Sequence, residues 1–334
     1  MNMTKWFTDM IEAPAKKALP ILSFPSITLM GITVRDLIAD SERQAEGMAL
    51  VAARTNAAAS VSMMDLSVEA ECFGATVRVS EAEVPTVTGS VVSTPEEADA
   101  LHIPEVGAGR TGRYIDALRR AKEKITDRPV FAGVIGPFSL AGRLMDVTQA
   151  MVNCYDEPEM VHTVLEKAAE FIIRYSNAYK ATGANGIVMA EPLAGLLSPS
   201  LAQEFSADYV RRIVDAVRTE DFAVIYHNCG NTTIQTIDSI LSVGASAYHF
   251  GDAIDLREML PLIPSDIVVM GNISPVHDFR GGTPESIAAD TTKLLEDCSR
   301  YPNFVISSGC DIPPMSPWAN IDAFFAAVDA FYRK

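Results

Sequence analysis

Two short stretches hold the chain's most reactive side chains. Ile225-Tyr226-His227-Asn228-Cys229-Gly230 ends the apolar run 222–226 in an imidazole and a thiol two residues apart. Phe304-Val305-Ile306-Ser307-Ser308-Gly309-Cys310-Asp311 has the same layout, an apolar run followed by small residues and a cysteine. Two thiolates and an imidazole are the ligands of a zinc ion, and a catalytic zinc keeps one further position open. In an extended strand, residues i and i+2 face the same side, so His227 and Cys229 share a face. Gly230 and Gly309 would let the backbone come close. The local C-x2-C pairs of a structural zinc ribbon are missing. Spacing alone therefore leaves two readings open, three ligands of one metal or a rim histidine with two unrelated cysteines.

Elements that alternate regularly must bring these stretches together. The apolar runs 21–24, 61–64, 130–135, 187–190, 222–226, 247–250, 267–271 and 304–307 read as strands. Most are continuous rather than alternating, as parallel strands buried on both faces are. Helical patterns lie between them, at 36–59, 111–125, 158–182, 198–218, 233–243, 256–262, from 283 onward, and 318–332. Thr94-Pro95-Glu96-Glu97 is a capping box with Pro at the first helical position. A further helix is expected at 4–18, and the alternating segments 76–79 and 86–92 read as a β-hairpin. Eight β/α units in 334 residues predict a (β/α)8 TIM barrel with an N-terminal helical extension and a hairpin insertion, as one domain over 1–334. The alternative, a doubly wound sheet, lacks its G-x-G-x-x-G fingerprint.

Barrel chemistry sits at the C-terminal ends of the strands. The residues expected there are Asp65, Glu191, His227 with Cys229, Asp252, Asn272 and Cys310. Glu191 reads either as a fourth ligand or base beside a metal, or as a rim carboxylate bonded to backbone. Asp65 reads as structural more readily than catalytic, and Asp252 as a cap before the helix at Leu256. Asn272 more often fixes a loop than touches a substrate. His249, inside an apolar strand, reads as a satisfied core histidine. Cys72, Cys154 and Cys298 read as small buried or part-buried thiols.

The net charge of −16 and the lack of a basic run argue against nucleic acid or an anionic membrane surface as partner. No stretch of about 18 apolar residues predicts a membrane span. The N-terminus lacks the apolar core of a signal peptide, so the cytoplasm is the expected location. Five cysteines in such a chain do not suggest a disulfide framework.

Over about residues 60–330 the sequence resembles the uroporphyrinogen decarboxylase superfamily. The matching stretches are Gly133-Val134-Ile135-Gly136-Pro137-Phe138-Ser139-Leu140-Ala141, Ala194-Gly195-Leu196-Leu197-Ser198-Pro199, Gly271-Asn272-Ile273-Ser274-Pro275 and Ser308-Gly309-Cys310-Asp311-Ile312-Pro313, running on to Pro317 and Asn320. Within it the chain looks most like the methylcobamide:thiol methyltransferases, including the coenzyme M enzymes. That branch carries His-x-Cys-Gly-Asn and a distant Gly-Cys, here His227-Asn228-Cys229-Gly230-Asn231 and Gly309-Cys310. The decarboxylases lack the His-x-Cys pair and carry an Arg-Gln-Ala-Gly-Arg-Tyr motif that is missing here.

The resemblance implies a barrel with Zn2+ on His227, Cys229 and Cys310. The mechanism expected at such a site puts Glu191 at the open position until the thiol arrives, or has it take the thiol's proton. Asp65, in Met64-Asp65-Leu66, matches the decarboxylases' catalytic Asp, and Asp65 and Asn272 are its expected cofactor contacts. The implied reaction moves a methyl group from a methylcorrinoid to a small thiol such as coenzyme M. The chain has no D-x-H-x-x-G cobalamin motif, so the corrinoid is expected on a separate corrinoid protein. Tetrapyrrole decarboxylation, tetrahydrofolate as methyl acceptor, and a non-catalytic corrinoid- or metal-binding protein are the alternatives.

Overall fold

The computed structural model describes residues 1–333. Its strands are β1 Ser60–Val61, β2 Thr76–Arg78, β3 Thr86–Thr88, β4 Val130–Ile135, β5 Gly186–Ala190, β6 Ala223–Asn228, β7 Ala247–Phe250, β8 Val268–Ile273 and β9 Phe304–Ser308. Seven of them form one parallel, curled sheet in the order β1-β4-β5-β6-β7-β8-β9. β2 and β3 pair antiparallel, as the expected hairpin.

The expected strand at 21–24 does not form. Residues 18–21 fill the gap between β9 and β1 instead. Leu19 N donates to Ile306 O at 3.0 Å, and Ala58 N donates to Ala18 O at 2.8 Å. Pro20, in the middle of this segment, has no N–H to give to a ladder. Ile21 N turns to the Ser308 hydroxyl at 3.0 Å rather than to a backbone carbonyl. The eighth stave of the barrel is thus present but irregular, and it lies nearer the N-terminus than its hydropathy suggests.

Leu19, Ile21, Ala59, Val61, Phe131, Val188, Ala190, Ala223, Ile225, Ala247, Val268, Met270 and Val305 form one buried cluster, the barrel interior. The alternate residues of the same strands, such as Val224, Tyr226, Tyr248 and Ile306, pack outward against the helices in a second cluster. Met3 and Phe7 of the helix Met3–Glu12 join the interior cluster, with Trp6 and Met10 packed against it. This helix stops well before the expected residue 18, because the backbone preceding Pro14 is disfavoured in the helical region.

Other helices differ in detail. The pattern at 36–59 breaks into Val34–Ala39 and Ser41–Arg54, with the Asp40 side chain capping the second. The helix expected at 198–218 contains a π segment, Gln203–Ala207. Helices Pro137–Met145 and Val147–Asp156, between β4 and β5, add elements that the strand count does not require. Among the described residues no helix is long and apolar enough to cross a membrane.

Candidate metal centre

The interior parity of the strands carries polar residues one step above the apolar layers. Ala223 and Ile225 are interior on β6, so His227 is the next interior position. By the same rule Ala247 leads to His249, Met270 to Asn272 and Val305 to Ser307. All four polar residues are buried. Cys229 lies just past β6 and Cys310 just past β9, one step further toward the mouth.

The structure brings the three expected ligands together. A ring nitrogen of His227 and the sulfurs of Cys229 and Cys310 lie within 4.8 Å of one another. Nδ1 of His227 is 2.7 Å from Nδ1 of His249. Nε2 of His227 is buried and has no protein partner. Bound nitrogen and sulfur donors around a tetrahedral zinc stand about 3.6 Å apart, so the cluster needs only a small contraction to close on an ion. An imidazole with one orphaned ring nitrogen beside two thiols is the donor chemistry such an ion selects, and the residues fit it.

The two thiols are unequal. A hydrogen bond from Cys310 lowers the pKa of Cys229, against the effect of burial. Cys310 is shifted the other way, first by that same bond and then by burial. Burial and then the neighbouring His227 hold His249 far below the usual imidazole range, so it is neutral.

Three glycines set the closeness of the loops. A Cβ on Gly230 would meet the Gly195 backbone at 2.4 Å, and one on Gly309 would meet Asp252 N at 2.8 Å. A Cβ on Gly251 would stand 2.3 Å from Cβ of Cys229. Asp252 therefore packs under the Cys310 loop, and it is Asp255 rather than Asp252 whose side chain caps the helix Leu256–Met259.

Glu191, expected either as a fourth ligand or base or as a backbone-bonded rim carboxylate, is not in the three-residue group. Its carboxylate accepts from Phe138 N at 2.7 Å, Ser139 N at 3.1 Å and the Ser206 hydroxyl at 2.9 Å. It is the anion at the N-terminus of helix Pro137–Met145, where free amides and the helix dipole favour negative charge. Burial still pushes its pKa up to about 7. The rim-carboxylate alternative, bonded to backbone, describes it.

The amide nitrogen of Asn272 is engaged by the protein. It donates to the carbonyls of Gly251 at 2.9 Å and Ile254 at 2.6 Å, fixing the loop beside Cys229. Asp65 is the centre of a buried polar network. It accepts from the Tyr114 hydroxyl at 2.6 Å, from the Ser67 hydroxyl at 2.6 Å and from the Arg110 guanidinium. Arg110 also reaches Glu71 at 2.5 Å. These partners occupy both Asp65 oxygens, whereas on Asn272 it is the amide nitrogen that the protein engages.

Sequence reading misses several residues here. Arg110 and Tyr114 approach Asp65 from a helix that no motif marks. Glu69, wholly buried and with its pKa pushed up to about 7 by burial, accepts from Ile135 N at 3.0 Å. Asp311, next to Cys310, accepts from Met64 N at 2.8 Å, and burial lifts its pKa well above the carboxylate range. Glu69 and Asp311 carry one sign, their position on segments that follow β1 and β9, and Arg110 and Tyr114, which lie between β3 and β4, carry none.

Comparison with known proteins gives the following. The family described as uroporphyrinogen decarboxylase (URO-D) matches residues 23–331. A methylcobamide:CoM methyltransferase MtbA of Methanosarcina acetivorans is 28% identical over 261 residues, which span 77% of this chain and 75% of that protein. A uroporphyrinogen decarboxylase of Pseudomonas aeruginosa is 28% identical over 249 residues, spanning 71% and 69%. The solved structure of a methyltransferase from Methanosarcina mazei superposes with a TM-score of 0.86 over 99% of both chains, at 22% identity, and so has the same fold.

Proposed function

The chain belongs to the uroporphyrinogen decarboxylase family, and within it we propose a zinc-dependent methyltransferase that moves a methyl group from a methylated corrinoid to a thiol such as coenzyme M. The observation that carries this reading is the convergence of a His227 ring nitrogen with the sulfurs of Cys229 and Cys310, in a ring whose Nε2 has no protein partner. The methylcobamide:CoM methyltransferases among the relatives point the same way.

His227, Cys229 and Cys310 would hold the ion. Zinc bound there would act as a Lewis acid that lowers the pKa of a substrate thiol, so that the proton leaves to solvent and a thiolate remains at neutral pH. The Cys229 and Cys310 thiolates and a neutral His227 would match the two positive charges of the ion, leaving none in excess to draw electron density from the substrate sulfur. The thiolate sulfur attacks the methyl carbon. The carbon–cobalt bond breaks with both electrons on cobalt, and Co(III) becomes Co(I). The protein's part is placement. His227 sits on a strand, the apolar layers of Ile225 and Met270 exclude water from below, and Gly251 and Gly309 hold the loops of the two cysteines close.

The corrinoid would arrive on a separate protein at the open mouth. Leu196, Val276 and Met315, on the segments after β5, β8 and β9, are exposed there and offer apolar contact. The Asp65–Arg110 pairing favours a structural role for Asp65 over a decarboxylase's free catalytic carboxylate.

The test is anaerobic incubation of zinc-loaded protein with methylcobalamin and either coenzyme M, other small thiols or tetrahydrofolate, following the Co(I) spectrum. Thiol-dependent demethylation that a chelator abolishes is expected. Transfer to tetrahydrofolate alone would replace the acceptor. Turnover of uroporphyrinogen without any demethylation would overturn the reading.

A further inference from the structure

His227 and His249 are lateral partners in the β6–β7 register, and their contact is the first link of a longer chain. His249 Nε2 lies 2.8 Å from the Ser307 hydroxyl oxygen, and that hydroxyl donates to the Leu19 carbonyl at 2.7 Å. Every member is buried. Leu19 is itself tied to β9, its N–H donating to Ile306 O at 3.0 Å.

We propose that this chain from Leu19 through Ser307 and His249 is a positioning device that sets the tautomer of His227, protonated on Nδ1 and bare on Nε2. The proton count follows from the donors and acceptors. A hydroxyl has one hydrogen, and the Leu19 carbonyl can only accept. Ser307 therefore accepts from His249, which must carry its proton on Nε2. The Nδ1 of that neutral ring is then an acceptor, so the proton between the two rings belongs to Nδ1 of His227. The lone pair of His227 is left on Nε2, the nitrogen without a protein partner. Metal-binding histidines commonly have the second nitrogen held by a carboxylate or carbonyl. An imidazole in that place orients the ring without adding a negative charge beside two thiolates.

His249 and Ser307 are thus positioning residues. The importance of the tautomer rests on the reading of His227 as a metal ligand, whereas the tautomer itself does not. The test uses the full-length protein, free of metal, with 15N-labelled histidine. NMR is expected to show His227 protonated at Nδ1 and unprotonated at Nε2. The reverse pattern in the wild-type protein overturns the proposal, whatever the metal content. Ser307→Ala frees His249 to reverse its protons, and should shift the His227 nitrogens toward the other tautomer. In chelator competition, Ser307→Ala and His249→Leu should weaken zinc affinity about 10–100-fold, while His249→Asn, which keeps an acceptor toward His227, should recover part of the loss. Melting curves separate these effects from unfolding. Unchanged His227 shifts in folded Ser307→Ala would refute the relay. The expected tautomer in a wild-type protein that binds no zinc would support the relay and sink the metal reading alone.

Discussion

Gly251 and Cys229 touch so closely that no side chain fits between them; a Cβ on Gly251 would lie 2.3 Å from that of Cys229. Gly251→Ala must therefore push the cysteine away from its partners. The expected result is a folded protein with zinc affinity reduced at least about tenfold, the scale of a disturbed ligand shell. Chelator competition with a colorimetric zinc indicator measures it. Wild-type affinity in the variant would show that the thiol's position is not set by this contact.

Metal content should follow the three-residue group. Cys229→Ala and Cys310→Ala should purify with far less than one zinc per chain. Cys72→Ala, distant from the group, and Glu191→Gln, outside it, should retain their metal. Elemental analysis of the four proteins decides the matter, and loss of zinc from Glu191→Gln would restore that carboxylate as a ligand candidate.

The buried ion pair gives a stability prediction. Asp65→Ala leaves the Arg110 guanidinium, 7% exposed, without its main counter-charge. Breaking one side of a buried pair costs about 3–5 kcal/mol. Tyr114→Phe removes only one of the hydrogen bonds to Asp65, for about 1 kcal/mol. Urea denaturation of both variants should reproduce that order.

Glu69 gives a pH prediction. Its pKa is raised from 4.5 to about 7 in the fold by burial, so the folded state holds this proton more tightly than the unfolded chain. The stability it contributes is present below pH 4.5 and is lost as pH rises to about 7, on the order of 3 kcal/mol. Glu69→Gln cannot ionise and keeps an acceptor for Ile135 N. The stability difference between variant and wild type should therefore move in the variant's favour across that interval, as read by denaturation at each pH. A constant difference would mean that Glu69 is ionised throughout.

The N-terminal helix should matter for folding and not for metal. Phe7, 6% exposed, belongs to the barrel's interior cluster. Phe7→Ala should cost about 3–5 kcal/mol, with zinc content unchanged at a temperature where the variant is folded.

Much of this architecture was legible because buried parallel strands announce themselves as continuous apolar runs, and each is followed by a polar residue at the rim. His227, Cys229 and Cys310 could be read for the same reason, since period-two alternation carries His227 and Cys229 to one side. The stave at 18–21 was not legible, because Pro20 and side-chain hydrogen bonds replace the ladder that gives a strand its pattern. Asp65 was visible, but its partner Arg110 was not, since only tertiary packing brings a helix residue to a strand end. His249 looked like a core histidine and is one. Its role depends on lateral register with His227, which hydropathy does not contain. Glu191 was visible at the rim, but its bonds to the free amides of the helix at Pro137 were not, since they too come from tertiary packing.

The irregular stave has a further consequence. The ring's seam runs along residues 18–21, where no continuous ladder resists opening, so amide hydrogen exchange at Leu19 and Ile21 should outpace that of β6 and β7. The carbonyl of Leu19 is also the terminal acceptor for Ser307. Breathing of the seam would then be felt two hydrogen bonds away at His249 and three away at His227. The barrel's irregular joint and His227 are thus linked mechanically, and in protein loaded with zinc, warming should release the ion before the fold is lost.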